Sequence, residues 1–147
     1  MTERDMQSLF GKYVKAHMPE ETEAYELKYT SGTSIPFNAV QEHQVDALTK
    51  AECGWPDVKG MGGLYHRITD QPWIADRPYS YTLKKPFDCF VLVNVKAYVV
   101  VWFYKQRQPK EFIKIRIGAF LQLRDKSNRK SFTEEMARSV AKEIIRL

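Results

Sequence analysis

The chain has 147 residues, enough for one domain with a real core, and 44% hydrophobic with 13% aromatic content excludes a disordered or low-complexity polymer. No run is long and apolar enough to span a bilayer, the N-terminus shows no signal-peptide pattern, and the two cysteines, Cys53 and Cys89, lack a paired-spacing motif, so the sequence predicts a single cytoplasmic domain over residues 1–147 with both thiols free. The net charge of +5 is unevenly spread: residues 1–80 hold 8 Lys/Arg against 12 Asp/Glu, and residues 81–147 hold 15 against 6. An acidic part suited to metal ions thus joins a basic part suited to a polyanion, which fits a nucleic-acid partner and also a merely basic soluble surface.

Thr2 reads as a helix N-cap, with Glu3 and Asp5 in the first turn and Met6, Leu9, Phe10, Tyr13, Val14 and Met18 at helical spacing until Pro19. Glu3 extends that apolar stripe at its N-terminal end, where an acid either points into a cleft or complements the helix dipole. Glu20, Glu21 and Glu23 lead into a strand over Ala24 to Thr30. Its residues alternate: Tyr25, Leu27 and Tyr29 point one way, Glu26 and Lys28 the other. A carboxylate and an ammonium on one strand face can serve phosphodiester hydrolysis, the acid holding a divalent metal and the lysine orienting or activating water or offsetting charge on the phosphate. On these residues alone, a solvated surface ion pair stays open.

After the turn Ser31-Gly32-Thr33, the stretch Ser34-Ile35-Pro36-Phe37 is predicted extended, and Asn38 is placed to cap a second helix reaching Glu52. The inward line of that helix runs Val40, Gln44, Ala47, Leu48 and Ala51, so Gln44 is either a satisfied core amide or a residue facing a polar site. Gly54 to Gly63 reads as a loop without the lysine of a P-loop, Leu64 to Ile68 as a short strand, and Thr69 to Ser80 as an irregular aromatic segment. Lys84-Lys85-Pro86-Phe87-Asp88 opens a strand through Val93, and Ala97 to Tyr104 is apolar enough to be a central strand buried on both faces. A basic turn over Lys105 to Lys110 leads into a strand from Phe112 to Ile117. A basic loop over Lys126 to Lys130 precedes a last helix, capped by Ser131 or Thr133, with Met136, Val140 and Ile144 on one stripe.

Two blocks resemble the PD-(D/E)xK nuclease superfamily, and within it the RecU-type Holliday junction resolvases, short phage and prophage members included. The first is Tyr25-Glu26-Leu27-Lys28 with Ser34-Ile35-Pro36-Phe37 and His43-Gln44, similar to the family's Glu-x-Lys strand, Phe-Pro-like loop and His-Gln helix. The second, Ala97 to Tyr104 with Phe112 to Leu121, resembles the later core strand and the hairpin after it. The resemblance implies an α/β fold with a mixed central β-sheet flanked by helices, a restriction-endonuclease-like core. It implies Mg²⁺ or Mn²⁺ held by Asp88, Glu26 and the Leu27 carbonyl, catalysis by Lys28 and Gln44, and Glu3 as a further acid. Lys84, Lys85, Lys105, Arg107, Lys110, Lys126, Arg129 and Lys130 would track a branched or four-way DNA junction, bound by a homodimer in the cytoplasm of a bacterial or phage-infected cell. The chain departs from the family in one respect: the acid expected on the strand before Glu-x-Lys is absent there, and Asp88 follows later in Lys85-Pro86-Phe87-Asp88. This implies active-site strands that have migrated or been permuted, with Asp88 and Glu26 meeting in space.

Overall fold

Thr2 opens the first helix, α1 (Glu3–Ala16), as its hydroxyl predicts: Oγ1 accepts from the Asp5 N–H at 3.2 Å, and the Asp5 carboxylate accepts from the Thr2 N–H at 2.7 Å. The computed structural model describes residues 1–17, 19, 21–53, 64–67, 89–92 and 94–147, with 64–67 and 89–92 described by their backbone alone. In chain order, α1 is followed by β1 (Glu23–Thr30), β2 (Ser34–Pro36), a 3₁₀ turn (Phe37–Ala39), α2 (Glu42–Glu52), β3 (Leu64–Arg67) and β4 (Cys89–Leu92). Then come β5 (Lys96–Phe103), β6 (Glu111–Arg116), α3 (Ile117–Lys126), β7 (Ser131–Thr133), α4 (Glu134–Ser139) and β8 (Glu143–Arg146).

The central sheet has the order β1-β5-β6-β8. β1 and β5 are parallel, and β6 runs antiparallel to both β5 and β8, so the sheet is mixed. A parallel pair needs a crossover, and α2 belongs to it. β2 pairs with β7 and β3 with β4 in two separate ribbons. β5 is buried from Ala97 to Phe103, as its apolar run predicts. Its alternate residues feed two cores. Tyr98, Val100 and Trp102 meet Met6 and Phe10 of α1 on one face. Val99, Val101 and Phe103 meet Val45 and Leu48 of α2 and Phe120 of α3 on the other. Helices therefore flank a mixed sheet, and no helix among the described residues is long and apolar enough to cross a membrane.

Three sequence expectations are corrected. α2 begins at Glu42, not after Asn38, because Asn38 lies inside the 3₁₀ turn and Gln41 holds the cap position. The alternation of Ile113 and Ile115 in β6 runs on to Ile117, yet from Ile117 the chain is helical, not the arm of a hairpin. No side chain caps the start of α3, which removed the usual signal. The last segment is not one helix: Thr133 does cap α4, but α4 ends at Ser139, and Ile144 lies in β8 against β6. The predicted strand through Val93 is described only as Cys89–Leu92, while the glycine loop, the aromatic segment and Asp88 lie outside the described residues. Cys53 is a free thiol.

One charged side chain is buried in the sheet. Lys114 of β6, opposite Val100, lies on the α1 face with 8% of its surface exposed. Its ammonium meets Glu23 Oε2 at 2.9 Å and Glu143 Oε2 at 3.7 Å, and stands 4.2 Å from the Tyr98 ring centre. Burial pushes the Glu23 carboxyl upward, but hydrogen bonds from Tyr25 and Lys114 outweigh it and hold the group below its ordinary range. Burial, reinforced by the bond to Glu23, raises the Tyr25 phenol. Removing one partner of a buried pair strands the other charge, so Glu23→Gln is predicted to destabilise the fold by about 3 kcal/mol. A carboxyl whose folded pKa is depressed adds stability that is complete above its unfolded pKa and is lost as pH falls through the folded value. The variant's stability should therefore fall less steeply on acidification than the parent's. Urea unfolding across pH checks both statements, and an unchanged midpoint at neutral pH would mean the pair is solvated.

Candidate functional site

The register of β1 decides which face its charged residues occupy. Glu26 stands opposite Val99 and Lys28 opposite Val101, whose side chains belong to the core under α2. Tyr25, Leu27 and Tyr29 take the α1 face. The two-faced strand read from the sequence is thus observed. Lys28 Nζ lies 3.1 Å from Glu26 Oε1, and both side chains are largely covered, at 15% and 24% exposure.

α2 supplies the third member. Gln44 lies in its first turn, on the side that also carries the buried Leu48 and Ala51. Its Oε1 accepts from the Gln41 N–H at 2.9 Å, reaching back to cap the helix. That bond fixes which end of the amide is which, so Nε2 is the end that faces the sheet, donating to Glu26 Oε1 at 2.8 Å. The two readings left open for Gln44 merge: it is a satisfied amide, and what satisfies it is a helix start on one side and the Glu26–Lys28 pair on the other.

Glu26 Oε1 therefore accepts from the Gln44 amide and faces the Lys28 ammonium, while Oε2 accepts no hydrogen bond among the described residues. Thr30 O accepts from Tyr104 N at 2.8 Å, which directs that carbonyl toward β5. Carbonyls alternate along a strand, so the Leu27 carbonyl projects from the other edge of β1, where no strand pairs with it among the described residues. A carboxylate oxygen and a neighbouring carbonyl are hard donors of the kind Mg²⁺ or Mn²⁺ takes, and in that respect the residues fit such an ion. Among the described residues no group of three His, Cys, Asp or Glu side chains converges. Asp88 lies outside the described residues, and so do Lys84 and Lys85. Glu3 is exposed at the start of α1, whose buried residues pack on the face opposite Glu26. His43 is exposed beside Gln44.

The basic residues gather at one end of the sheet. The β5–β6 turn, carrying Lys105, Arg107 and Lys110, follows the C-terminal end of β5, and Arg107 there has φ +63°. The α3–β7 loop reaches the same end by a different route. Ile35 of β2 stands opposite Phe132 of β7, and Phe37 N–H donates to Lys130 O at 2.9 Å. Phe132 in turn touches Phe37 and Phe103, with ring centres 5.2 and 6.2 Å apart. Arg129 and Lys130 are thereby held beside the residues that lead into α2. With Phe37, Asn38, Glu42 and Arg124 they line an open cleft of about 290 Å³. Lys126 is the last residue of α3. Lys105 is engaged otherwise: its ammonium bonds Glu134 at 3.0 Å. Burial pushes the Glu134 carboxyl upward, and its bonds from Arg138 and Lys105 outweigh that and hold it low. Arg124 was missed by sequence reasoning because the helix that carries it was missed.

Comparison with protein-family models, with curated proteins and with solved structures returns no match. The site is therefore read from its own chemistry. A paired acid and lysine, held by an amide, lie in the middle of a strand of a parallel pair, on the face that the crossover helix covers.

The bond from Gln44 to Gln41 predicts a stability effect separable from any effect on the site. Gln44→Ala removes both the cap and the donor to Glu26 and should cost about 1 kcal/mol of stability. Gln44→Glu keeps the acceptor for Gln41 N–H but sets two carboxylates against each other, so it should cost stability at neutral pH although the cap is kept. Urea unfolding of both variants checks this, and parental stability of Gln44→Glu would show that the two side chains do not meet.

Proposed function

We propose that this chain is a metal-dependent, structure-selective DNA endonuclease with a restriction-endonuclease-like core, its substrate a branched DNA such as a four-way junction. The observation that carries the reading is the Glu26–Lys28–Gln44 set, because binding a polyanion gains nothing from a carboxylate while hydrolysing one does. The basic turn and loop at the same end of the sheet support it by offering phosphate contacts that position a backbone without reading its sequence.

Glu26 through Oε2, the Leu27 carbonyl and Asp88 would hold Mg²⁺ or Mn²⁺. When bound, such an ion polarises the phosphate and lowers the pKa of bound water. Lys28 has three N–H donors, and its ammonium stands at ion-pair distance from Glu26 Oε1. Its N–H groups would orient the attacking water or meet a phosphoryl oxygen as its charge grows. Gln44 keeps Glu26 Oε1 occupied, so the carboxylate cannot swing away and Oε2 remains the oxygen for the ion. Cuts paired across a two-fold junction call for a homodimer. A second reading, a nucleic-acid-binding module without catalysis, is favoured by one observation: among the described residues no group of three His, Cys, Asp or Glu side chains converges at Glu26.

The two readings part on a labelled synthetic four-way junction incubated with and without Mg²⁺. The nuclease reading expects cleavage that needs the ion. It expects Lys28→Ala to slow cleavage by about 10²-fold or more, as for a group acting in the transition state. Glu26→Gln and Asp88→Asn should abolish cutting while junction binding without metal is kept or tightened, since a bare carboxylate repels phosphate. Parent-like cutting by Glu26→Gln would remove β1 from the active site. Binding without any cutting by the parent would leave the module.

A further inference from the structure

The cleft beside the start of α2 carries an inference beyond general basicity. Its lining has three cations, Arg124, Arg129 and Lys130, against one carboxylate, Glu42. Phe37 is 5% exposed, and its ring packs on Phe120 and Phe132, so the floor is rigid. The rim is held by the backbone: Phe37 N–H donates to Lys130 O, and Arg129 N–H donates to Ser127 Oγ at 3.1 Å. A volume of about 290 Å³ lies just below the range of drug-sized ligand sites, roughly 300 to 1,000 Å³, as suits a small anionic group such as a phosphate.

The charges in the cleft are unequally engaged. Arg124 Nη1 donates to Glu42 Oε1 at 3.1 Å, and its Nε lies 3.4 Å from Asp125. Glu42 is held by nothing else among the described residues, and its side chain is 85% exposed. Arg129 and Lys130 pair with no carboxylate among the described residues. The dipole of α3 accounts for cations in its last turn, Arg124 and Lys126, but not for two more beyond its end. Such an exposed pair as Glu42–Arg124 contributes little to stability. A carboxylate on a guanidinium, beside two cations that pair with no carboxylate among the described residues, instead occupies the place of a second anion.

We propose that this cleft is a phosphate subsite for one strand of the nucleic acid, and that Glu42 is its resident stand-in, leaving Arg124 when a backbone phosphate arrives. The identity of the ligand rests on the nucleic-acid reading above. The site itself lies apart from Glu26 and Lys28, since Glu42 and Gln44 are two residues apart and occupy different sides of α2.

The test reads binding without divalent metal, by fluorescence anisotropy of a labelled oligodeoxynucleotide duplex across salt concentrations. Arg129→Ala and Lys130→Ala should each weaken binding several-fold and reduce the log–log salt slope by about 0.9 for each phosphate that is no longer neutralised. Glu42→Gln should tighten binding several-fold, and that gain should shrink when Arg124→Ala is already present, because the two effects act through one contact. Lys12→Ala with Lys15→Ala, on exposed positions of α1, removes as much charge from another surface and should leave affinity unchanged. Equal weakening by the α1 pair, or parental affinity and slope in Arg129→Ala and Lys130→Ala, would overturn the subsite. An equal gain from Glu42→Gln with and without Arg124 would overturn the stand-in. The nuclease reading is judged separately: a parent that binds through the cleft yet never cuts in Mg²⁺ fails that reading and keeps the subsite.

Discussion

The parallel pairing of β1 with β5 is the constraint on which the site depends. Two parallel neighbours cannot be joined by a tight turn, so the chain must leave the end of β1, cross a face of the sheet and return to the start of β5. α2 makes that crossing, and its own terminal contacts record the route. Ala97 N–H donates to Glu52 Oε1 at 3.0 Å, and Val95 N–H donates to Ala51 O at 2.9 Å. The helix therefore ends at the beginning of β5 and begins at the far end of β1. Its first turn has to lie over the face of β1 that carries Glu26 and Lys28. Gln44 reaches Glu26 because the crossover allows its helix few other places to start.

The same geometry explains why two charged groups are tolerated under a helix. An isolated carboxylate or ammonium at that depth would be costly. Here the acid receives an ammonium and an amide on one oxygen, and the amide is itself tied to the helix start. On the other face of the sheet, Glu23, Tyr25 and Lys114 solve the same problem with a closed set of partners and two aromatic rings. The two clusters differ in what is left over. Lys114 is enclosed by its partners, which marks a structural group, whereas Glu26 retains an oxygen that takes no donor among the described residues.

Much of this was legible in the sequence where periodicity is local. The alternation of Tyr25 to Tyr29 fixed both faces of β1, the apolar run from Ala97 fixed β5, and the spacing of Gln44, Leu48 and Ala51 turned the glutamine inward. What periodicity could not show was any feature made by distant residues or by an unmarked boundary. α3 starts at Arg116 and Ile117 with no capping side chain and continues the apolar pattern of β6, so strand and helix looked like one segment. Strands of three residues, such as β2 and β7, contain too few positions to reveal a period, and only their pairing brings Arg129 and Lys130 to α2. Asn38 looked like a cap by type, yet the turn that follows Pro36 delays the helix by three residues more.

The pairing of β2 with β7 also bears on how the protein is made. Ile35 and Phe132 face each other across roughly a hundred residues of intervening chain, so joining them closes a long loop whose entropy must be offset before the contact contributes anything. Contacts of such sequence separation slow folding. During synthesis, which delivers the N-terminal part first, β1 emerges long before the strand that carries the arginine and lysine to its neighbourhood. A nascent chain, or one truncated before Ser131, would hold Glu26 and Lys28 without that cationic surround. The cationic cleft thus joins the Glu26–Lys28 side of the molecule only once β7 has paired with β2, late in the assembly of the fold.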